Sequence, residues 1–427
     1  MDREDSYAAL ETIPVGAECQ APTSPLRVGA YRRLWINHAI SNLGSQVQLV
    51  GATWLMAHLT KSVQMIALVQ TALNLPTVIF LVVGGALADT FNRRRVMLVG
   101  QTAMLLSASA LALLSAAGTL NPWMLLVLVF ATQSFASLNN PSWQASAGDI
   151  LPRGLISRAV ALNSMSISLA RTAGPALGGV IVTVLGVTAA FVANAATFIG
   201  FIAVLARWHP GVSVHTTRGE PMHAAMVAGI RYALVTHDVR NAMVRGGLAG
   251  LFASAVFALL PVLAQQRLSA NAFGYGSLLA SFGAGAVVAA YAGGQVRAWR
   301  TPDQVIAAAM VLMAASLAMC AVADRIEFAA LGAALGGAGW TLTHSTFNAT
   351  VQLAAASPFT ARSLALYQTA TFAGMAVGSA TFGWAAEHYG LFLAFIIAAI
   401  GEGLAGLIAL AMPLPRLEEL VAERVIG

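Results

Sequence analysis

Asp89, Arg93, Arg94 and Arg95 share one short stretch, GGALADTFNRRR at 84–95, after a long run with almost no charge. A carboxylate beside an arginine cluster can form ion pairs that make and break, or can simply anchor a turn at a membrane surface. Gly84 and Gly85 let the adjoining segments approach closely. Arg171 is more isolated, lying about 18 Å along a helix from the nearest polar boundary. A guanidinium at that depth costs at least about 2.5 kcal/mol against lipid, so it must face a wet cavity or a bonded partner. Attracting an anionic substrate is one use for it; bonding to helix carbonyls is the other.

Neutral polar residues also interrupt the apolar runs. Asn42 and Gln46 are four apart and share a helix face; Gln133, Arg171, His344 and Gln368 join them as candidates for a substrate path. The neutral ones serve equally well as hydrogen-bonded glue between helices. Trp340 and Phe372 can wall a ring-bearing substrate or merely pack. For proton movement the candidates are Glu402, a lone acid inside the last apolar run, and His38 and His344, whose imidazoles titrate near neutral pH. Cys19 and Cys320 are too far apart in sequence for a disulfide framework or a CxxC metal site. No phosphate-binding GxxxxGK[ST] loop and no nucleophile constellation is present, which argues against an ATP-driven pump or an enzyme. No cofactor and no metal are implied.

The elements that hold these residues follow from composition. The chain has 427 residues, 58% hydrophobic and 9% charged, far below the roughly 25% charge of a soluble domain. That implies an all-α integral membrane protein. Apolar runs long enough to cross a bilayer fall at 34–59, 63–88, 96–117, 122–145, 159–185, 188–208, 241–265, 272–297, 303–323, 326–350, 362–387 and 390–412. Arginines crowd one set of connections, among them Arg32, Arg33, Arg93 to Arg95, Arg153, Arg158, Arg207, Arg240, Arg245, Arg297, Arg300 and Arg362. The alternate connections hold Lys61, Arg267 and Arg325. The bias puts both termini in the cytoplasm, and it marks orientation in a bilayer rather than a nucleic-acid surface. The organisation read from this is a disordered tail at 1–30, a six-helix bundle at 31–208, a linker at 209–240, a second bundle at 241–412 and a tail at 413–427. Within the linker, Met222, Met226, Ile230 and Leu234 stripe an amphipathic helix over 222–235.

The two bundles repeat. At an offset of 204, Arg158 aligns with Arg362, Leu162 with Leu366, Gly174 with Gly378, Gly179 with Gly383 and Gly186 with Gly390. Two similar bundles that rock about a central site are the plan of an alternating-access transporter.

The second hinge resembles the loop signature of the major facilitator superfamily through Gly85, Asp89, Arg93 and Arg94, with Asn92 where that signature has a glycine. GPALGG, with Gly174, Pro175, Gly178 and Gly179, is similar to the superfamily's antiporter motif. The stretch 139–179, through Asn140, Pro141, Asp149, Pro152, Leu162, Asn163 and Arg171, resembles the branch of enterobactin, siderophore and macrolide exporters. The resemblance implies a twelve-helix fold in two pseudo-symmetric halves, a gating charge cluster of Asp89, Arg93, Arg94 and Asp149, and a small-molecule substrate. It also implies a monomer in the inner membrane and export of a siderophore- or antibiotic-like compound driven by the proton-motive force. Broad multidrug efflux, lysophospholipid transport and a non-transporting sensor are the alternatives.

Overall fold

The computed structural model describes residues 24–208, 230–356, 359–408 and 411–415. Its long helices are α1 Gly29–Leu59, α2 Val63–Thr90, α3 Arg93–Ala116, α4 Pro122–Ile150, α5 Ile156–Leu185, α6 Val187–Arg207, α7 His237–Val262, α8 Ala272–Trp299, α9 Pro302–Val322, α10 Ile326–Ala354, α11 Thr360–Tyr389 and α12 Leu391–Leu407. No strand occurs among the described residues.

Side chains at the breaks between apolar runs start several of these helices. Ser62, Asn92, Asn121 and Asn271 each accept a backbone N–H of the first turn of α2, α3, α4 and α8, and Thr301 with Gln304 forms a capping box on α9. Each satisfies N–H groups that a helix start leaves without a partner. The junctions α5–α6 and α11–α12 each turn on one glycine, Gly186 at φ 86° and Gly390 at φ 88°. A side chain is strained in that conformation. These two glycines are aligned by the repeat, so the duplication has kept the same turn twice.

The helices follow the apolar runs, with differences at their ends. α1 begins at Gly29 rather than 34, α4 continues to Ile150 rather than 145, and α10 to Ala354 rather than 350. A hydropathy reading stops at the first polar group, whereas the backbone ladder continues through the interfacial layer. α12 stops at Leu407, short of 412. Of the amphipathic linker, 230–235 is helical; Met222 and Met226 lie outside the described residues, as do 1–23 and 416–427. Among the described residues eight helices are long and apolar enough to cross a membrane by length and composition, while α12 is apolar but shorter. The helices α1, α10 and α11 fall outside that set; they carry Asn42, Gln46, His344 and Gln368.

Within the first half α1 packs on α5 and α6, and α4 on α2 and α3; within the second, α7 packs on α11, and α10 on α8 and α9. The halves meet along two seams, α2 against α11 and α5 against α8. Two apolar clusters cross between them: one joins Val50, Trp54 and Val182 to Leu259, Leu263 and Tyr275, and the other brings Val262 against Met56 and Ile66. Those residues lie toward the helix ends opposite the arginine-rich connections, here called the far face. Toward the basic face the apolar clusters stay within one half. Leu34, Met97, Trp143 and Phe201 form one in the first half, and Ile306, Met310, Phe347 and Tyr367 belong to one in the second. The molecule is joined at one end and divided at the other.

Candidate functional site

At the basic face, Arg93 on α3 donates to Asp149 at the end of α4, 2.7 Å away. The same Nη1 also reaches the Ala145 carbonyl at 3.3 Å. Arg94 turns the other way and donates to the carbonyls of Leu205 and Ala206 at 3.0 and 2.6 Å. It thereby satisfies acceptors that the end of α6 leaves open. Gly85 and Asp89 lie in the last turns of α2; the Asp89 side chain is outside the described residues. In the second half Arg297, in the last turn of α8, donates to the Ser345 hydroxyl at 2.9 Å.

Arg245, grouped by sequence with the basic connections, lies instead inside α7, where it is 1% exposed. It pairs with Asp303 at 2.5 Å, donates to the Met412 carbonyl at 3.0 Å and lies 5.6 Å from the Phe347 ring centroid. Asp303 in turn accepts the Leu414 N–H at 3.0 Å. These partners, distant in sequence, draw the guanidinium inward and strap residues 412–414 to the bundle.

The GPALGG glycines serve two helices. A Cβ on Gly174 would lie 2.4 Å from Gln46 Cβ, and one on Gly178 3.1 Å from Val47 and Val50 on α1. On the other edge, a Cβ on Gly179 would lie 2.9 Å from the Ala272 carbonyl, and one on Gly276 2.6 Å from the Pro175 carbonyl. Lower on the same seam Gly283 admits Thr172. The motif is thus a packing device for α1 and α8 together, and it fixes the stem of Gln46.

Between those two packed edges α5 presents Ser164, Ser168 and Arg171 on one face at helical spacing, all of them exposed. The exposed residues on its other side are apolar: Met165, Leu169, Leu177, Val180 and Val184. The apolar side suits lipid, and the narrow polar arc between α1 and α8 points to the space between the halves. Arg171 makes no hydrogen bond or ion pair among the described residues, and it lies close enough for its charge to act on His344 of α10. His344 Nδ1 is 3.1 Å from the Tyr367 hydroxyl on α11. Its ring stacks with Trp340 at 5.5 Å and 9°. Phe257 of α7 meets Trp340 edge-on at 6.1 Å and Phe282 of α8 at 4.8 Å. An arginine on the first half therefore faces a continuous ring system on the second.

The remaining candidates lie apart. Gln133 lines a cavity of about 40 Å³ inside the first half with Ser45, Gln48, Thr132 and Asn194, where Asn194 donates to Gln48 at 2.7 Å. Asn42 is half-buried and its Nδ2 has no partner. Gln368 is half-buried on α11. His38 stacks on Trp143 at 4.1 Å and touches Phe201 at 5.7 Å. Glu402 is 1% exposed on the face α12 turns to the bundle, and its Oε2 has no partner. Among the described residues no cluster of side chains suits a metal ion.

Sequence reasoning did not single out Tyr367, Phe257 or the Arg245–Asp303 pair. For Tyr367 a signal existed. Its repeat position is Asn163, which accepts from Trp143 of α4 at 3.0 Å, just as Tyr367 meets a ring on α10.

Two repeated six-helix halves, joined at one face around a polar arc, are the fold that multi-pass secondary transporters share. Residues 20–425 match the family of transmembrane secretion effectors, and the chain belongs to that family, a branch of the major facilitator superfamily whose members are transporters and not enzymes. It is 28% identical to an uncharacterized MFS-type transporter, YfiS, of Bacillus subtilis over 39% of each chain. It is 26% identical to the staphyloferrin A transporter of Staphylococcus aureus over 38% of this chain and 41% of that one. With the enterobactin exporter EntS of Salmonella choleraesuis the identity is 26%, over 57% and 59%. The alignments thus span less than two thirds of these relatives' lengths. In fold it resembles the nucleoside transporter NupG, with TM-score 0.73 at 11% identity over 90% of this chain and 99% of that one. A bacterial homologue of the lysosomal transporter Spinster gives 0.69 at 12% over 91% and 99%.

Proposed function

We propose that this protein exports a small amphipathic molecule, of siderophore or antibiotic type, by alternating access driven by the proton-motive force. One observation carries the reading: among the described residues, apolar clusters cross between the halves only toward the far face, while the clusters and ion pairs toward the basic face each stay within one half. Such a molecule has its central space open toward the arginines. The positive-inside bias makes that side the cytoplasm and puts both termini there, in the inner membrane. Rocking about the glycine-lined seams then exchanges access, with the Arg93–Asp149 link holding α3 to α4 as one half moves. Export is the direction named for the Salmonella relative. Glu402, His344 and His38 are the proton carriers to test, Glu402 first because its buried carboxyl oxygen lacks a partner. The working unit is a monomer, without nucleic acid.

The test is mass spectrometry of medium and cytosol from a deletion strain and its complemented parent, grown with and without iron. A compound retained by the deletion strain is the expected result, and its rise in iron-poor medium marks a siderophore. Equal metabolite pools in both strains and both media count against export.

A further inference from the structure

Resting on that transport reading, we infer that the central site selects organic acids bearing a planar ring: the acid group sits on Arg171 of the first half and the ring on the Trp340–His344 surface of the second. Arg171 is exposed at mid-helix, and its two flanking edges are occupied by α1 and α8. The guanidinium therefore projects into the space between the halves with its donors free. The helices around that space, α1, α4, α5, α7, α8, α10 and α11, carry carboxylates only near their ends, such as Asp149, Asp238, Glu327 and Glu387. A cationic ligand finds no countercharge at this depth and meets the arginine, whereas an anion meets a guanidinium made stronger by limited access to water.

The ring preference rests on the opposite wall. Trp340 and His344 lie nearly parallel, 9° apart, and Phe257 supports the tryptophan from behind. Tyr367 holds the imidazole through Nδ1, which fixes the stacked pair and leaves an outer ring face for the ligand. A planar ring stacks on such a surface at little entropic cost. Ser164 and Ser168 supply hydroxyls beside the arginine for further polar groups on the ligand. Charge on one half and rings on the other also place recognition across the moving boundary, so one ligand engages both halves only when they enclose it.

The experiment is titration calorimetry of the purified full-length protein in lipid nanodiscs with four probes: 2-naphthoate, 2-naphthamide, cyclohexanecarboxylate and 2-naphthylmethylammonium. Naphthoate is expected to bind, with the amide and the ammonium weaker by about tenfold or more, the size of a lost charge-assisted hydrogen bond. Arg171→Gln should bring naphthoate down to the level of the amide while leaving the amide unchanged, which also shows that the variant is folded. Trp340→Leu should weaken naphthoate and leave cyclohexanecarboxylate as it was. Ammonium binding equal to or above naphthoate, an unaltered naphthoate affinity in Arg171→Gln, or no binding by any probe would each overturn the assignment. The metabolite comparison separates the two levels. A retained neutral or cationic compound removes the acid selectivity and leaves export standing, whereas identical pools remove export itself.

Discussion

The two halves descend from one pattern, yet they agree in some places and part in others. At the offset of 204, Gly174, Gly179 and Gly186 recur as Gly378, Gly383 and Gly390. Those positions carry close packing or a positive-φ turn in both halves. The positions of the α5 polar arc diverge: Ser164 becomes Gln368, Ser168 becomes Phe372, and Arg171 becomes Met375. What positions the helices has been kept twice, and what faces the space between them has been kept once. The first half offers charge and hydroxyls and the second offers rings, with Met375 itself buried, and a ligand between them meets two unlike surfaces.

The same contrast runs through the basic face and gives the largest expected effect. Among the described residues each half has one ion pair there. Arg245–Asp303 is buried on its arginine side, whereas Arg93–Asp149 keeps 22% and 13% of its side chains exposed. Asp303→Asn leaves a buried guanidinium without its charge partner, a loss of about 3–5 kcal/mol. Asp149→Asn weakens a charged hydrogen bond nearer water and should cost less, about 1.5 kcal/mol or below. Thermal unfolding of both variants in one detergent checks the order, and the reverse order would break the comparison. A step smaller, Gly276→Val puts a side chain against the Pro175 carbonyl in the α5–α8 seam. Overpacking of that kind costs about 1–3 kcal/mol, and transport should fall more than expression does.

How much of this was legible in sequence follows the same division. The helices announced themselves because apolar runs and arginine clusters are local signals. The glycine pairs did so because the repeat displays them side by side. Arg171 was legible for a local reason too: a lone charge in an apolar run must find water or a partner. The site around it was not. His344 and Tyr367 are 23 residues apart on different helices, and Arg245 meets Asp303 across 58. No spacing rule links such pairs until the helices are packed. Arg245 was misread as a loop anchor because a guanidinium near a helix end looks the same whether it reaches water or a buried carboxylate. His38 has the opposite difficulty: its composition suggests proton traffic, and its surroundings are the faces of Trp143 and Phe201.

The central comparison itself is sharpened by exchange. Arg171→Met makes the first half match the second at that position, and Met375→Arg does the reverse. If the site depends on unlike walls, the single Arg171→Met variant loses at least about tenfold in transport of an acidic substrate. The double exchange, which moves the charge onto the ring-bearing side, should not restore it. Recovery in the double variant would mean that only the presence of charge in the space matters. Uptake of a labelled substrate into inverted vesicles gives the readout once the retained metabolite is known.

The smallest effect belongs to the far-face seams. On the α2–α11 seam the Glu387 carboxylate accepts the Ser62 hydroxyl at 2.6 Å and the Gln64 N–H at 2.7 Å. It sits on the positive end of α2, in the other half of the molecule. The repeat position on the α5–α8 seam is Thr183, and the facing helix start is already capped by Asn271, which accepts the Gly274 N–H at 2.9 Å. One seam carries a removable carboxylate, and the other is closed by close backbone and apolar contact. A charge at a helix N-terminus is worth about 0.3–1 kcal/mol. Glu387→Gln should therefore raise the population opened at the far face by about two- to fivefold. Spin labels at Trp123 and Phe328, exposed near that face on opposite halves, report it as growth of the longer distance. Thr183→Glu should bring no matching gain in closure, because α5 and α8 already meet closely there at Gly179 and Gly276. If it closes the far face as strongly as Glu387 does, the two seams are interchangeable, and the asymmetry between them lies only in which residue happened to stay.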